Sequence, residues 1–293
     1  MSPTVLVIGA LHHDIIVTAP GLPRRDETMV GTGWQPKFGG KGGNQAVAAA
    51  RVTFCRMLGA VGADAFGEFM RFGLALGGVQ DDFVQTTIDA PTGISVAIVD
   101  PVGDYGAVIV SGANAAIDPA PLTQDALWAG VAVLLLQNEV PEALNHAAAK
   151  IARNRGVPVI LNAAPARPLA PDFAALVDVL VVNAVEAEMM GTAAVIDLAS
   201  AAIAAETLAA SFAAVVVTAG AAGLAAWSAL DEAFYVPAES VEVISSHGAG
   251  DAFTGTLAAT LAQGLTLEKS CQIASKAAAA RVSYDHAGAN IPR

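Results

Sequence analysis

An acid at the end of a short glycine turn can serve as a base beside a phosphate, and residues 245–255 place one there. The run Ser245-Ser246-His247-Gly248-Ala249-Gly250-Asp251-Ala252-Phe253-Thr254-Gly255 passes from small residues into the Ala/Leu-rich Ala252–Ala262. This pattern predicts a loop entering a helix. The unpaired N–H groups of Ala249, Gly250 and Asp251 would face outward and favour an anion. Gly248 and Gly250 would let a phosphate approach the backbone. Asp251 could accept a proton there, or it could equally be the N-terminal cap of the helix and nothing more. A second segment, Phe38-Gly39-Gly40-Lys41-Gly42-Gly43-Asn44-Gln45-Ala46, offers Lys41 and Asn44 as donors among glycines. It is neither a P-loop nor a Gly-x-Gly-x-x-Gly dinucleotide fingerprint. A close-held polar ligand and a flexible glycine loop are both open readings. His12-His13-Asp14 sets two imidazoles beside an acid. Adjacent residues on a strand face opposite sides, and His146 and His286 are remote in sequence, so no transition-metal site is expected. His247 can touch a phosphate or sit in solvent, and the scattered Trp34, Trp128 and Trp227 read as packing residues.

The elements that must position these residues follow from periodicity. Val5–Ile8 is a β-branched run ending in Gly9 and Ala10–Asp14, and reads as a buried strand delivering polar residues at its end. Asn44–Arg51 is helix-prone. Thr92–Asp100 and Tyr105–Val110 flank Pro101–Asp104, which predicts a hairpin. The apolar runs Val131–Leu136, Val157–Leu161, Val177–Val182 and Ala213–Thr218 alternate with helical patterns, such as Pro141–Arg155 with Gly156 at its end. Such alternation predicts a mostly parallel sheet covered by helices. Ligands gather at the carboxyl ends of parallel strands. Asp14, Asn138–Glu139, Asn162, Asn183, Glu186, Thr218 and Gly220 stand at those ends, where either ligand binding or ordinary loop polarity would put them.

Composition narrows the partners. The 293 residues are 54% hydrophobic and 14% charged, with a net charge of −12. That argues against nucleic acid or anionic lipid as the main partner, since both call for a basic footprint. Backbone amides and a metal ion can still hold phosphate. Much of the apolar content is alanine in helix-like runs such as Ala193–Ala210. No apolar run reaches the roughly 20 residues of a spanning helix. Met1–Gly9 lacks the basic flank and cleavage site of a signal peptide, so a cytoplasmic location is expected. Cys55 and Cys271 are isolated, and two reduced thiols are expected.

Taken together, the two glycine segments resemble the paired signatures of the ribokinase-like (PfkB) carbohydrate kinase family. Thr92-Gly93, Gly112-Ala113-Asn114-Ala115-Ala116, Asn162-Ala163-Ala164-Pro165-Ala166-Arg167, Asn183-Ala184-Val185-Glu186 and Thr218-Ala219-Gly220-Ala221-Ala222-Gly223 resemble further family stretches and fall in the right order. The resemblance runs from Val5 to Gly288-Ala289. Gln45–Ala50 and Gly112–Asn114 are most similar to the ribokinase branch. It implies a single α/β domain over 1–293, a three-layer αβα sandwich with a small β-sheet lid from insertions at about 16–38 and 92–111. It also implies an ATP-dependent sugar kinase using Mg²⁺, with ribose the favoured acceptor, that dimerises through the lid. By carry-over, His12, Asp14, Gly40, Lys41, Asn44 and Glu139 would line the sugar site. Asp251 would take the proton of the attacking hydroxyl, with Gly248, Ala249 and Gly250 at the transferring phosphoryl group. Asn183 and Glu186 would organise Mg²⁺ and phosphates, and Thr218, Gly220 and Gly223 would line the nucleotide groove.

Departures from the pattern bear on the acceptor. His12 stands where ribokinases usually carry Asn, which keeps a nucleoside or another sugar open as the acceptor. Ser245-Ser246 replaces the usual Asp-Thr, whose Asp helps to hold a monovalent cation, so weak potassium dependence is expected. Thr256 stands where the family prefers Ala or Gly. A non-catalytic sugar- or nucleotide-binding protein on the same fold would not need Asp251, and a dehydrogenase would need the missing fingerprint.

Overall fold

The computed structural model describes residues 3–101, 105–229, 232–244 and 247–283. Ser245, Ser246, His286 and Gly288-Ala289 lie outside the described residues. The strands are β1 (Thr4–Ile8), β2 (His12–Thr18), β3 (Gly33–Gly39), β4 (Phe54–Gly62), β5 (Gln80–Thr87), β6 (Gly93–Val99), β7 (Tyr105–Val110), β8 (Val131–Gln137), β9 (Val159–Asn162), β10 (Val179–Asn183), β11 (Ala214–Thr218), β12 (Gly223–Ser228) and β13 (Glu232–Pro237). The helices are α1 (Lys41–Ala50), α2 (Ala65–Leu76), α3 (Asp125–Trp128), α4 (Glu142–Asn154), α5 (Pro171–Ala174), α6 (Ala184–Met189), α7 (Leu198–Leu208), α8 (Ala249–Ala262) and α9 (Leu267–Ser283).

Nine strands form one sheet in the order β13-β12-β11-β10-β9-β8-β1-β4-β5. It is parallel from β11 to β5, and β12 and β13 close one edge antiparallel. The pleat sends alternate residues of β1 to opposite faces: Leu6 and Ile8 enter one core, Val5 and Val7 the other. α4 to α7 cover the first face through residues such as Leu144, Phe173, Ala187 and Ala201. α1, α2, α8 and α9 cover the second through Ala46, Met70, Leu257 and Cys271. Cys55 and Cys271 are free and buried. Both faces are covered, which explains why the strands read as continuous apolar runs rather than alternating ones. No helix among the described residues is long and apolar enough to cross a membrane.

A second, four-stranded sheet has the order β3-β2-β6-β7. Here the first strand differs from the sequence-based expectation. Asp14 does not end β1; the chain leaves β1 at Gly9, crosses to the smaller sheet and begins β2 at His12. Asn114 holds the crossing: its Oδ1 accepts from Leu11 N at 2.8 Å and its Nδ2 donates to Leu11 O at 2.7 Å. Several apolar side chains of the smaller sheet are exposed among the described residues, including Val108, Ile109 and Val110. Trp34 is 69% exposed there, so it is not the packing residue the sequence suggested, whereas Trp128 is buried and donates to Leu122 O.

The glycine-rich segment is not a flexible loop. Gly40, at φ 81°, is the N-cap of α1, and Gly42 and Gly43 form its first turn. The helix begins earlier than expected because Gly42 lies against the backbone of Gly9 and Ala10; a Cβ would stand 2.6 Å from the Gly9 carbonyl carbon. α1 then packs closely on α8, where a Cβ at Gly255 would overlap Gln45 O and come within 2.7 Å of Ala48 Cβ. We therefore expect Gly255→Ala to push α1 from α8, costing about 1–3 kcal/mol in urea unfolding and lowering turnover. Wild-type values for both would show that the two helices can separate freely.

Candidate active site

α8 begins at Ala249, and its N-cap is Gly248, at φ 78°. Asp251 is therefore the third residue inside the helix, and the reading of it as a cap fails. Its side chain is instead held from α1: Asn44 Nδ2 donates to Oδ2 at 3.2 Å and Gln45 Nε2 to Oδ1 at 2.9 Å. Gln45 is fully buried, and the same nitrogen donates to Asn162 Oδ1 at the end of β9, also at 2.9 Å. This second shared acceptor fixes the amide, and the amide fixes the acid. Gln45 sits inside the quoted motif, yet only the fold reveals its task, because Asp251 is 206 residues away.

A second acidic group faces this one. Glu139, in the loop after β8, accepts the Lys41 N–H at 2.7 Å. Burial pushes its pKa up; the Lys41 N–H and charge pull it down, and Asp251 pushes it up again. Asp14 is buried on β2, packed so closely on Gly39 that a Cβ there would overlap its carboxylate. Burial first, then Glu139, pushes Asp14 up to about 7; Lys37, its register partner on β3, opposes this, and Asp251 adds to it. His12 Nδ1 lies 3.8 Å from Glu139 Oε2. This is not an ion pair, because burial and then Lys41 lower the His12 pKa to about 4. The buried His12 Nε2 has no hydrogen-bond partner among the described residues. His13 points the other way, stacked on Phe66 at 4.1 Å between ring centroids. Asp14, His12, Glu139, Lys41 and Asn44 thus bring hydrogen-bond acceptors and donors together near Asp251, the kinds of group that hydroxyls can pair with.

The remaining predicted residues lie at the neighbouring strand ends. Asn183 and Thr218 are register partners on β10 and β11. Asn183 Oδ1 accepts Glu186 N at 2.8 Å and Glu186 Oε2 accepts Asn183 N at 2.9 Å, a capping box on α6. Burial raises the Glu186 pKa, the Asn183 N–H and Lys41 lower it, and Asp251 raises it, so Glu186 senses the same site. Its Oε1 accepts no hydrogen bond among the described residues, leaving a hard oxygen of the kind magnesium takes alongside water and phosphate. No three His, Cys, Asp or Glu side chains among the described residues form a metal cluster. Gly220 borders open space, whereas a Cβ at Gly223 would overlap Val236 O, so Gly223 serves the close pairing of β12 and β13.

Asp14, Glu139 and Asp251 thus share one electrostatic environment, and comparisons with known proteins give the class of the chain. Residues 2–293 match the family described as pfkB family carbohydrate kinase. The ribokinase of Bacillus subtilis is 34% identical over 290 residues, covering 98% of this chain and 96% of its own length. The deoxyribokinase of Salmonella typhi is 31% identical over 258 residues, covering 87% and 84%. The structure of Arabidopsis thaliana ribokinase complexed with ribose and ATP superposes with a TM-score of 0.89 at 27% identity, covering 97% of this chain and 94% of that one. The chain belongs to the pfkB family of carbohydrate kinases.

The raised Asp14 pKa carries a stability cost. Its folded value lies above the ordinary 3.8, so stability from this group is fully present below about 3.8 and is lost as pH rises through about 7. Asp14→Asn should therefore raise the sugar-free Tm by about 2–5 °C at pH 8, and by less at pH 5, while weakening sugar binding at least tenfold. Thermal unfolding at the two pH values checks this. A variant destabilised equally at both would show that Asp14 is a structural acid.

Proposed function

We propose that the protein transfers the γ-phosphoryl group of ATP to the primary hydroxyl of a small sugar, with ribose as acceptor and ribose 5-phosphate as product. The observation that carries this reading is the placement of Asp251. It sits inside the first turn of α8 without capping it, oriented by Asn44 and Gln45, and beside the amides of Gly248, Ala249 and Gly250. Phosphoryl transfer asks for positioning, charge stabilisation and a base near the nucleophile. Asp251 takes the hydroxyl proton. Asp14, Glu139, Asn44, Lys41 and the Gly40 turn hold the sugar hydroxyls, and His12 offers a neutral imidazole to one of them. Thr218 and Gly220 line the nucleotide groove. Magnesium, held by Glu186 and Asn183 through water and nucleotide phosphates, would neutralise phosphate charge. The smaller sheet excludes water, so that the sugar accepts the phosphoryl group.

The same sheet also supports a homodimer. Trp34, Val108, Ile109 and Val110 are each at least half exposed on it, and a two-faced sheet of four strands does not bury both faces alone. Light scattering at micromolar concentration should report twice the chain mass, and Trp34→Glu should halve it. A wild-type monomer would end the dimer reading.

The reaction is tested by ADP release across pentoses, hexoses and nucleosides. Asp251→Asn should keep sugar binding and lower kcat by roughly 10²–10⁴-fold; near wild-type turnover would remove Asp251 from the chemistry. In the same panel His12→Asn should shift preference towards ribose, and an unchanged profile would make His12 incidental to the choice of acceptor.

A further inference from the structure

α9 returns antiparallel to α8 and ends beside the α8 turn, which brings Arg281 to Gly248 across 33 residues of sequence. The guanidinium lies against the glycine: a Cβ there would stand 3.1 Å from Arg281 Nε and 3.3 Å from Nη2. Arg281 is half-buried, and among the described residues it donates no hydrogen bond and pairs with no carboxylate. Burial and then Arg51 push its pKa down, with Asp251 pulling the other way. His247, next along the turn, is lowered by burial and by the Lys37, Arg281 and Lys41 cations, against Asp251. A chain of net charge −12 thus sets Arg281 against this turn and brings Lys37 and Lys41 within electrostatic reach of His247. A guanidinium on the last turn of a helix is favoured by the helix dipole, but that does not require one lodged against another helix's N-cap. The N-terminal end of α8 carries partial positive charge of its own, so the guanidinium is poorly placed there unless an anion is shared.

We propose that Arg281 is a phosphate-binding residue of this site, its planar fork closing over a phosphate held at the Gly248 turn. The inference rests on the kinase reading above and adds to it a substrate contact from α9. The phosphate belongs to the nucleotide or to the phosphorylated sugar. Either presents two oxygens to the fork, which a lysine at this place would meet only as a point charge.

The test compares ligands that differ only in phosphate, on the full chain: ADP against adenosine, and ribose 5-phosphate against ribose. Arg281→Gln should weaken ADP binding about 10–50-fold while adenosine and ribose stay within twofold, and Arg281→Lys should recover part of the loss. Without ligand, the Tm of Arg281→Gln should equal or exceed that of the wild type, because an unpaired half-buried cation has been removed. The stabilisation that saturating ADP gives should shrink. Loss confined to ribose 5-phosphate would assign the contact to the product and still support the proposal. Wild-type affinity for both phosphorylated ligands, or equal losses for adenosine and ADP, would overturn it. Should wild-type protein phosphorylate no sugar, the kinase reading fails, yet the ADP and adenosine comparison still scores Arg281.

Discussion

One buried amide holds the reactive part of this molecule together. Gln45 Nε2 sits between Asn162 on β9 and Asp251 on α8, and so ties a central strand to α1 and α8, two helices of the second face. It can do so because Gly255 lets α8 lie against the backbone of α1. The Gln45 nitrogen is satisfied twice, whereas its buried Oε1 has no hydrogen-bond partner among the described residues, so the two donated bonds orient the amide. The position of the base therefore follows from core packing and not from the loop in which it begins.

Around that fixed point the charges are arranged against stability. Asp14 and Glu139 are buried near one another and near Asp251, and burial raises both of their pKa values. Carboxylates crowded in this way destabilise the empty protein at neutral pH. Hydroxyl donors from a sugar would relieve the crowding, which turns a folding cost into binding selectivity. Lys37 opposes Asp14 and Lys41 opposes Glu139, while Arg281, on a third element, is drawn to Asp251. Cations and acids are thus interleaved around Asp251, with Lys37 paired in register with Asp14 and the Lys41 N–H bonded to Glu139.

The smaller sheet contributes differently. β2 and β6 are parallel partners in it, yet each is reached from the end of a main-sheet segment. Thr92 ties one entry, accepting Gly62 N and donating to Asp64 Oδ1 at 2.6 Å. Asn114 ties the other through both backbone groups of Leu11. Polar side chains at the two crossings therefore set where Asp14 and His12 stand relative to Glu139.

Much of this was legible in the residues themselves. Val131–Leu136 and Ala213–Thr218 read as buried strands because both faces of the sheet are covered, and Pro141–Arg155 read as a helix because its apolar spacing is local. The two glycine signatures were legible because a backbone that must approach a ligand or another backbone tolerates few residue types. What the sequence could not supply was which distant positions meet. Asp14 seemed to follow the first strand but lies within β2 of the second sheet, since local periodicity does not say which sheet a strand joins. Asp251 taken alone could be a cap or a base, and only the structure shows that Gly248 takes the cap. Trp34 looked like core because an aromatic ring carries no signal of which face is left open. Arg281 was not singled out by the sequence, and only the packing of α9 on α8 sets it against Gly248. Helix and strand patterns are written within about ten residues of chain, whereas these contacts join segments tens to hundreds of residues apart and are decided by how the layers pack.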